Sequence, residues 1–193
     1  MTKAQEKKLK KFGIFTLAQA KEIGISQQSL SKLVKQEKIK RVDRGIFLHP
    51  EASLDREYDF QIAYAKLGPE AVIGGLSALF YYNLAEQVPK QTWVLVPPHK
   101  ITSNRSYRLI RTKTPLDKGI VEGRGYKIVS IERAIAEAFK LASKMGERTA
   151  IKACRKAIQQ RQTTLKKIGM TAKELGLDSY FNRYSEAIIG AIQ

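Results

Sequence analysis

The chain reads as an α+β protein in two parts: a short helical segment closed by a two-stranded hairpin, then a larger mixed α/β domain. Three observations predict this. Residues 16–35 hold two short runs with helical apolar spacing, separated by Gly24. Residues 39–48 hold two β-favouring runs on either side of Asp43-Arg44-Gly45. Residues 92–129 hold four more such runs before helical spacing resumes at Ile131.

In the first part, residues 4–11 predict a short basic helix whose Ala4 and Leu9, with Phe12 after them, are available for packing. Thr16 and Gln19 have capping-box spacing, so a helix should start there, with Leu17, Ala20 and Ile23 on its apolar face. Gly24 ends that helix, Ile25 plugs the turn and Ser26 caps the next. The second helix should bury Leu30, Leu33 and Val34 and present Gln27, Gln28, Ser31, Lys32 and Lys35. Ile39–Val42 and Ile46–Leu48 then form a hairpin about the Gly45 turn. Helix, turn, helix and hairpin in this order predict a winged helix-turn-helix, whose second helix has the size to enter a DNA major groove.

Pro50 places the expected boundary, giving a domain over 1–50 and another over 51–193. In the second, a helix is expected over 55–67 with Tyr58, Ile62 and Ala65 in one stripe, then a short strand at 71–73. Gly74-Gly75 opens a further helix, and their role is read as close packing. Strands follow at 92–96, 107–111, 120–122 and 126–129. Ser130 caps a helix to about 144, and Thr149 to about Gln160 forms another, with Ile151, Ala153 or Cys154, and Ile158 inward. Two short helices are expected at 163–168 and 171–175, and a closing one at 179–192.

Composition narrows the function. Hydrophobic residues make up 43% of the 193, a share that excludes a disordered chain. No run approaches the roughly 20 apolar residues needed to span a bilayer. The basic N-terminus lacks the apolar run of a secretory signal, and the single Cys154 cannot form an internal disulfide, so a cytoplasmic setting is expected. Net charge is +17 and unevenly spread. Residues 1–50 carry 12 basic and 4 acidic side chains, residues 51–99 carry 3 and 6, and residues 100–193 carry 20 and 8. A basic segment that also holds a helix-turn-helix pattern points to double-stranded DNA.

The candidate DNA-binding residues are therefore Gln27, Gln28, Ser31, Lys32 and Lys35 on the second helix, and Arg41 and Arg44 on the hairpin. Gln27 or Gln28 can pair with adenine, and Lys32 or Lys35 with guanine or a phosphate. Arg41 and Arg44 can follow the backbone or enter the minor groove. Lys7, Lys8, Lys10 and Lys11 face phosphate or simply solvent. Lys152, Arg155, Lys156 and Arg161 form a candidate second nucleic-acid surface, against the plainer reading of a charged helix back. Catalysis has little support: no Cys/His cluster has metal-ligand spacing, no Gly-rich loop precedes Lys-Ser/Thr, and no cofactor is expected. Asp117 and Glu122 alone suggest a nuclease-like carboxylate pair.

With these elements placed, the chain resembles the AbiEi-type antitoxin and transcriptional regulator family of bacterial type IV toxin–antitoxin and phage-abortive systems. Arg44-Gly45-Ile46-Phe47, within KIKRVDRGIFLHP, is similar to the family's wing. Ile73-Gly74-Gly75-Leu76-Ser77-Ala78-Leu79, then Tyr82-Asn83-Leu84 and the strand Trp93–Val96, resembles its Ser-Ala-Leu helix, loop and strand. Val129-Ser130-Ile131-Glu132-Arg133-Ala134 resembles its Ser-x-Glu-Arg-Thr helix start, with Ala134 in place of Thr and Glu137 loosely matching a later acid. The likeness runs from Phe12 to about Ala142. It implies an antitoxin that represses its own operon and opposes a nucleotidyltransferase-type toxin, without requiring direct contact between the two; dimerisation on promoter DNA is a separate expectation. The rival readings are a stand-alone regulator without a toxin partner, and a DNA-targeted nuclease.

Overall fold

The computed structural model describes residues 2–52, 57–184 and 188. Its secondary structure is mixed α and β. The chain divides into two compact units, Met1–Pro69 with Arg124–Tyr126, and Glu70–Gly123 with Lys127–Gln193.

The first unit runs α1 (Lys3–Phe12), β1 (Ile14–Thr16), α2 (Leu17–Glu22), α3 (Gln27–Lys35), β2 (Lys40–Asp43), β3 (Ile46–Leu48) and α4 (Tyr58–Leu67). Local chemistry fixes most of these boundaries. The Gln19 amide donates to Thr16 Oγ1 at 3.2 Å and the Thr16 amide donates to Gln19 Oε1 at 2.8 Å, closing the capping box of α2. Gly24, at φ 78°, turns the chain in the left-handed region, and the Ser29 amide donates to Ser26 Oγ at 3.1 Å to start α3. Leu9, Phe15, Ala20, Ile25, Leu30, Leu33, Ile39 and Phe47 form one core, with Leu17, Ile23 and Val34 packed against it.

The strand order is β1-β3-β2, with β3 antiparallel to both neighbours. Strand β1 has no counterpart among the expected elements: three residues are too few to display alternation. Tertiary pairing makes the strand, since Phe15 lies opposite Phe47 and their rings stack with centroids 5.7 Å apart. The unit also runs past the expected boundary at Pro50, to Pro69. The reason is α4, whose Tyr58, Ile62 and Ala65 pack on Ile14, Ile46 and Leu48 of the sheet. The expected first turn of that helix, 55 to 56, lies outside the described residues.

The second unit holds β4 (Val72–Ile73), α5 (Gly75–Tyr81), β5 (Thr92–Val96), β6 (Tyr107–Arg111), β7 (Ile120–Gly123), β8 (Tyr126–Val129, all but its first residue), α6 (Ile131–Lys140), α7 (Ala142–Met145), α8 (Glu147–Gln159), α9 (Leu165–Glu174) and α10 (Asp178–Asn182). Its sheet has the order β6-β5-β4-β8-β7, with β4 parallel to β8 and antiparallel to β5, and β5 parallel to β6. Helix α6 is buried along most of its length. The Arg133 amide donates to Ser130 Oγ at 3.3 Å, forming its expected cap.

Gly74 and Gly75 are close-packing residues. A Cβ on Gly74 would lie 1.8 Å from Leu95 Cδ1, and one on Gly75, at φ 52°, would lie 2.6 Å from Trp93 Cε3. Gly75→Ala is therefore expected to destabilise the chain by about 1–3 kcal/mol through overpacking and backbone strain, read as a lower urea midpoint. An unchanged midpoint would refute the packing role.

Three helical expectations differ from the structure. The helix expected from Ser130 to about 144 ends at Lys140, where Leu141 leaves helical geometry at ψ 11° and the short α7 begins after it. The stretches 163–168 and 171–175 are not separate helices: α9 runs unbroken through Gly169. The buried face of α8 is Ala150, Ala153, Cys154 and Ala157, while Ile151 and Ile158 are only half-buried. The expected closing helix over 179–192 is described as α10 and, beyond it, at Ile188; 185–187 and 189–193 lie outside the described residues.

Candidate nucleic-acid interface

Helix α3 sets the geometry of the site. Leu30 and Leu33 are buried and Val34 half-buried, which fixes the rotation of the helix about its axis. That rotation leaves Gln27, Gln28, Ser31, Lys32 and Lys35 all exposed. The structure thus brings these five candidates together on one helix face. Ser31 is partly committed, since its Oγ donates to the Gln27 carbonyl at 3.0 Å. Lys32 and Lys35 stand in the last turn, where the helix dipole favours cations. No acidic residue occurs within α3, so the face is electropositive.

The β2–β3 hairpin follows directly. Its turn has Gly45 at φ 75°, and the Leu17 amide donates to the Gly45 carbonyl at 2.9 Å, tying the hairpin to the start of α2. Arg41 and Arg44 are both exposed. Arg41 Nε reaches the Asp43 carbonyl at 3.4 Å. Asp43 is the one acid of the hairpin, and Lys66 Nζ meets its Oδ1 at 2.9 Å. The Lys66 contact, helped by the Arg44 amide and only partly opposed by burial, holds the Asp43 carboxyl below the usual aspartate value. The acid stays ionised but locally neutralised, so it subtracts little from the field of the two arginines.

The α1 lysines Lys7, Lys8, Lys10 and Lys11 are all exposed, and Lys10 pairs with Glu51. One residue of this helix, Gln5, stands at the site without having been among its candidates. The Gln5 side chain reaches the turn between α2 and α3, and Gln5 borders the same groove as Ser29 and Lys32 of α3 and its C-cap Gln36. The capping-box spacing of Thr2 and Gln5 was a local signal for the helix start, but the long-range reach has no sequence signature.

The second candidate surface, in the other unit, is only partly assembled. Lys152, Arg155 and Lys156 lie on adjoining positions of α8, whereas Arg161 follows the helix end in the left-handed region at φ 56°. Lys152 and Arg161 are exposed, Arg155 and Lys156 half-buried. Lys156 Nζ donates to Asn83 Oδ1 at 3.4 Å, and Arg155 Nε is buried without a hydrogen-bond partner. Asp117 and Glu122 are both exposed, the first in a loop and the second on β7. Among the described residues, no three His, Cys, Asp or Glu side chains are grouped to hold a metal ion, and no helix is long and apolar enough to cross a membrane.

No curated protein matches the chain. Residues 6–49, which span α2, α3, the hairpin and most of α1, match the family described as the transcriptional regulator AbiEi antitoxin.

Proposed function

We propose that the first unit is a winged helix-turn-helix that binds double-stranded promoter DNA, with α3 as its reading helix and β2–β3 as its wing. The observation that carries this is the sorting of α3: every apolar residue is turned into the core, and every candidate contact residue is turned to solvent. The fourfold clustering of amide and ammonium groups on Gln27, Gln28, Lys32 and Lys35 matches the donor and acceptor needs of base edges and phosphates. The family match over residues 6–49 supports a regulator of the antitoxin type.

On this reading the protein is a cytoplasmic, non-enzymatic repressor of its own operon, needing no cofactor and no catalytic residue. It binds an inverted repeat as a dimer formed on the DNA. It opposes a nucleotidyltransferase-type toxin without requiring direct contact, and Lys152, Arg155, Lys156 and Arg161 in the second unit offer a further nucleic-acid surface.

Two experiments test this. Gel shift with a duplex from upstream of its own gene should show binding that weakens steeply with salt, because phosphate contacts release counterions. Co-expression with the neighbouring gene product should relieve that product's toxicity. Salt-insensitive or absent binding would overturn the DNA reading. Binding without rescue would leave a stand-alone regulator.

A further inference from the structure

One side chain spans two structural joints of the first unit. Gln5 Oε1 accepts from the Thr2 amide at 2.9 Å, and the Gln5 amide donates to Thr2 Oγ1 at 3.2 Å, closing the capping box that starts α1. The other end of the same side chain reaches far along the sequence. Gln5 Nε2 donates to the Ile23 carbonyl at 3.1 Å and to the Gly24 carbonyl at 3.3 Å. These two carbonyls belong to the turn between α2 and α3. A primary amide is suited to this task, because it carries an acceptor at one atom and two donor hydrogens at the other.

The turn needs such a partner. Gly24 is in the left-handed region at φ 78°, and the Ile25 amide already donates to the Ala20 carbonyl at 2.9 Å. That bond does not engage the carbonyl of Ile23, the C-cap of α2, or that of Gly24 after it, and a helix end leaves such carbonyls without an intrahelical donor. Gln5 satisfies both. One turn later on α1, Leu9 is fully buried in the core that also holds Ile25, Leu30 and Leu33. Helix α1 is therefore fastened to the turn twice, by an apolar anchor and by a polar latch. The anchor resists separation of the helices, whereas the directional hydrogen bonds resist rotation of the turn.

We infer that Gln5 is a positioning residue for DNA reading: it locks the Ile23–Gly24–Ile25 turn and thereby the angle at which α3 leaves it. The inference rests on the reading of α3 as the DNA-binding helix. Gln5 stands just outside the segment that matches the family, residues 6–49. It touches no base or phosphate in this role. Its effect passes through backbone carbonyls to the Ser26 cap and the first turn of α3, where Gln27 and Gln28 stand.

Gln5→Glu separates the latch from the cap. A glutamate oxygen still accepts from the Thr2 amide, as capping boxes commonly use it. The carboxylate has no proton to donate to the two carbonyls, and its charge repels them. Thr2→Ala is the opposite control: it weakens the cap of α1 and keeps the amide facing the turn. The full-length chain is measured in two ways, by amide exchange at Gly24, Ile25 and Ser26, and by binding to the promoter duplex upstream of its own gene. Gln5→Glu should speed exchange across the turn and weaken duplex binding roughly five- to tenfold, while thermal unfolding stays cooperative. Thr2→Ala should leave turn exchange close to wild type. Unchanged exchange in Gln5→Glu overturns the latch, whatever the DNA result. Faster exchange with undiminished binding, in a wild-type protein that does bind the duplex, overturns the positioning role. A wild-type chain that fails to bind the duplex overturns the positioning role together with the reading of α3, and the exchange readout then still decides whether the latch exists.

Discussion

Replacing Gln27, Gln28, Lys32 and Lys35 together with alanine is expected to abolish promoter binding while leaving the fold intact. All four side chains are exposed, and alanine is the strongest helix former, so α3 should keep its place on Leu30 and Leu33. A lost bidentate amide–base pair costs about 1–3 kcal/mol, and each lost lysine removes a phosphate contact or a guanine contact. The combined loss should weaken specific binding by more than about a hundredfold, since each 1.4 kcal/mol is a factor of ten. Arg41→Ala with Arg44→Ala should behave differently. Hairpin contacts to phosphate would carry no sequence information, so the loss should be similar on cognate and unrelated duplexes. The salt slope should also become shallower by about 0.9 per phosphate contact removed. Titration by gel shift or fluorescence anisotropy at several salt concentrations, with circular dichroism as a check on folding, reads both effects. A folded quadruple variant that binds like wild type would remove α3 from the interface.

The face tested by that variant was legible because the sequence signals that place it are local. Thr16 with Gln19, and Ser26 with Ser29, act within one helical turn, and the structure contains those hydrogen bonds. Once both helix starts are fixed, the apolar spacing of Leu30 and Leu33 sets which side faces out. The strands of the larger unit were legible for a similar reason, as apolar β-favouring runs bounded by prolines and glycines. Failures arose where distant packing decides. Strand β1 exists because Phe47 lies opposite Phe15, some thirty residues along the sequence. On α8, Ile151 and Ile158 are the more apolar residues, yet the helix buries its alanine and cysteine side. Small side chains permit close approach of neighbouring helices, and that gain outweighs hydropathy alone. The expected ranges 163–168 and 171–175 leave out Gly169, a poor helix former, but Ile168 and Ala172 are buried on either side of it and α9 is continuous.

The Arg133–Glu137 pair was hidden for a further reason: charges at i and i+4 on a helix ordinarily indicate a solvated surface pair. Here both side chains are buried, with Arg133 at 0% and Glu137 at 3% exposure. Arg133 Nε donates to Glu137 Oε1 at 3.0 Å, while Nη1 donates to the carbonyls of Pro115, at 2.6 Å, and Lys118. One guanidinium thus holds α6 to the 115–118 loop. Gly119, at φ 59°, passes close beside it: a Cβ there would lie 3.2 Å from Arg133 Cδ.

Arg133→Met is therefore expected to destabilise the protein by about 3–5 kcal/mol, because it takes from a buried carboxylate its hydrogen-bonded partner, leaving only the Lys140 charge to favour it, and leaves two loop carbonyls without their donor. The loss should depend on pH with a definite sign. Burial pushes the Glu137 carboxyl above the usual glutamate value, and Arg133 opposes that push. A raised folded value means that folding takes up a proton between the unfolded and folded values. The associated stability is fully present below the unfolded value of about 4.3 and is lost as pH rises through the folded one. Without Arg133 the folded value moves higher, so Arg133→Met should lose stability over a wider span of rising pH than wild type does. Glu137→Leu added to Arg133→Met should recover much of the loss, since an apolar pair of similar volume removes the buried charge. Urea unfolding of the single and double variants at several pH values measures each term. If the double variant is no more stable than Arg133→Met, the lost stability lies in the two loop hydrogen bonds and not in the stranded carboxylate; if Arg133→Met unfolds like wild type, the clamp does not hold α6 to the loop.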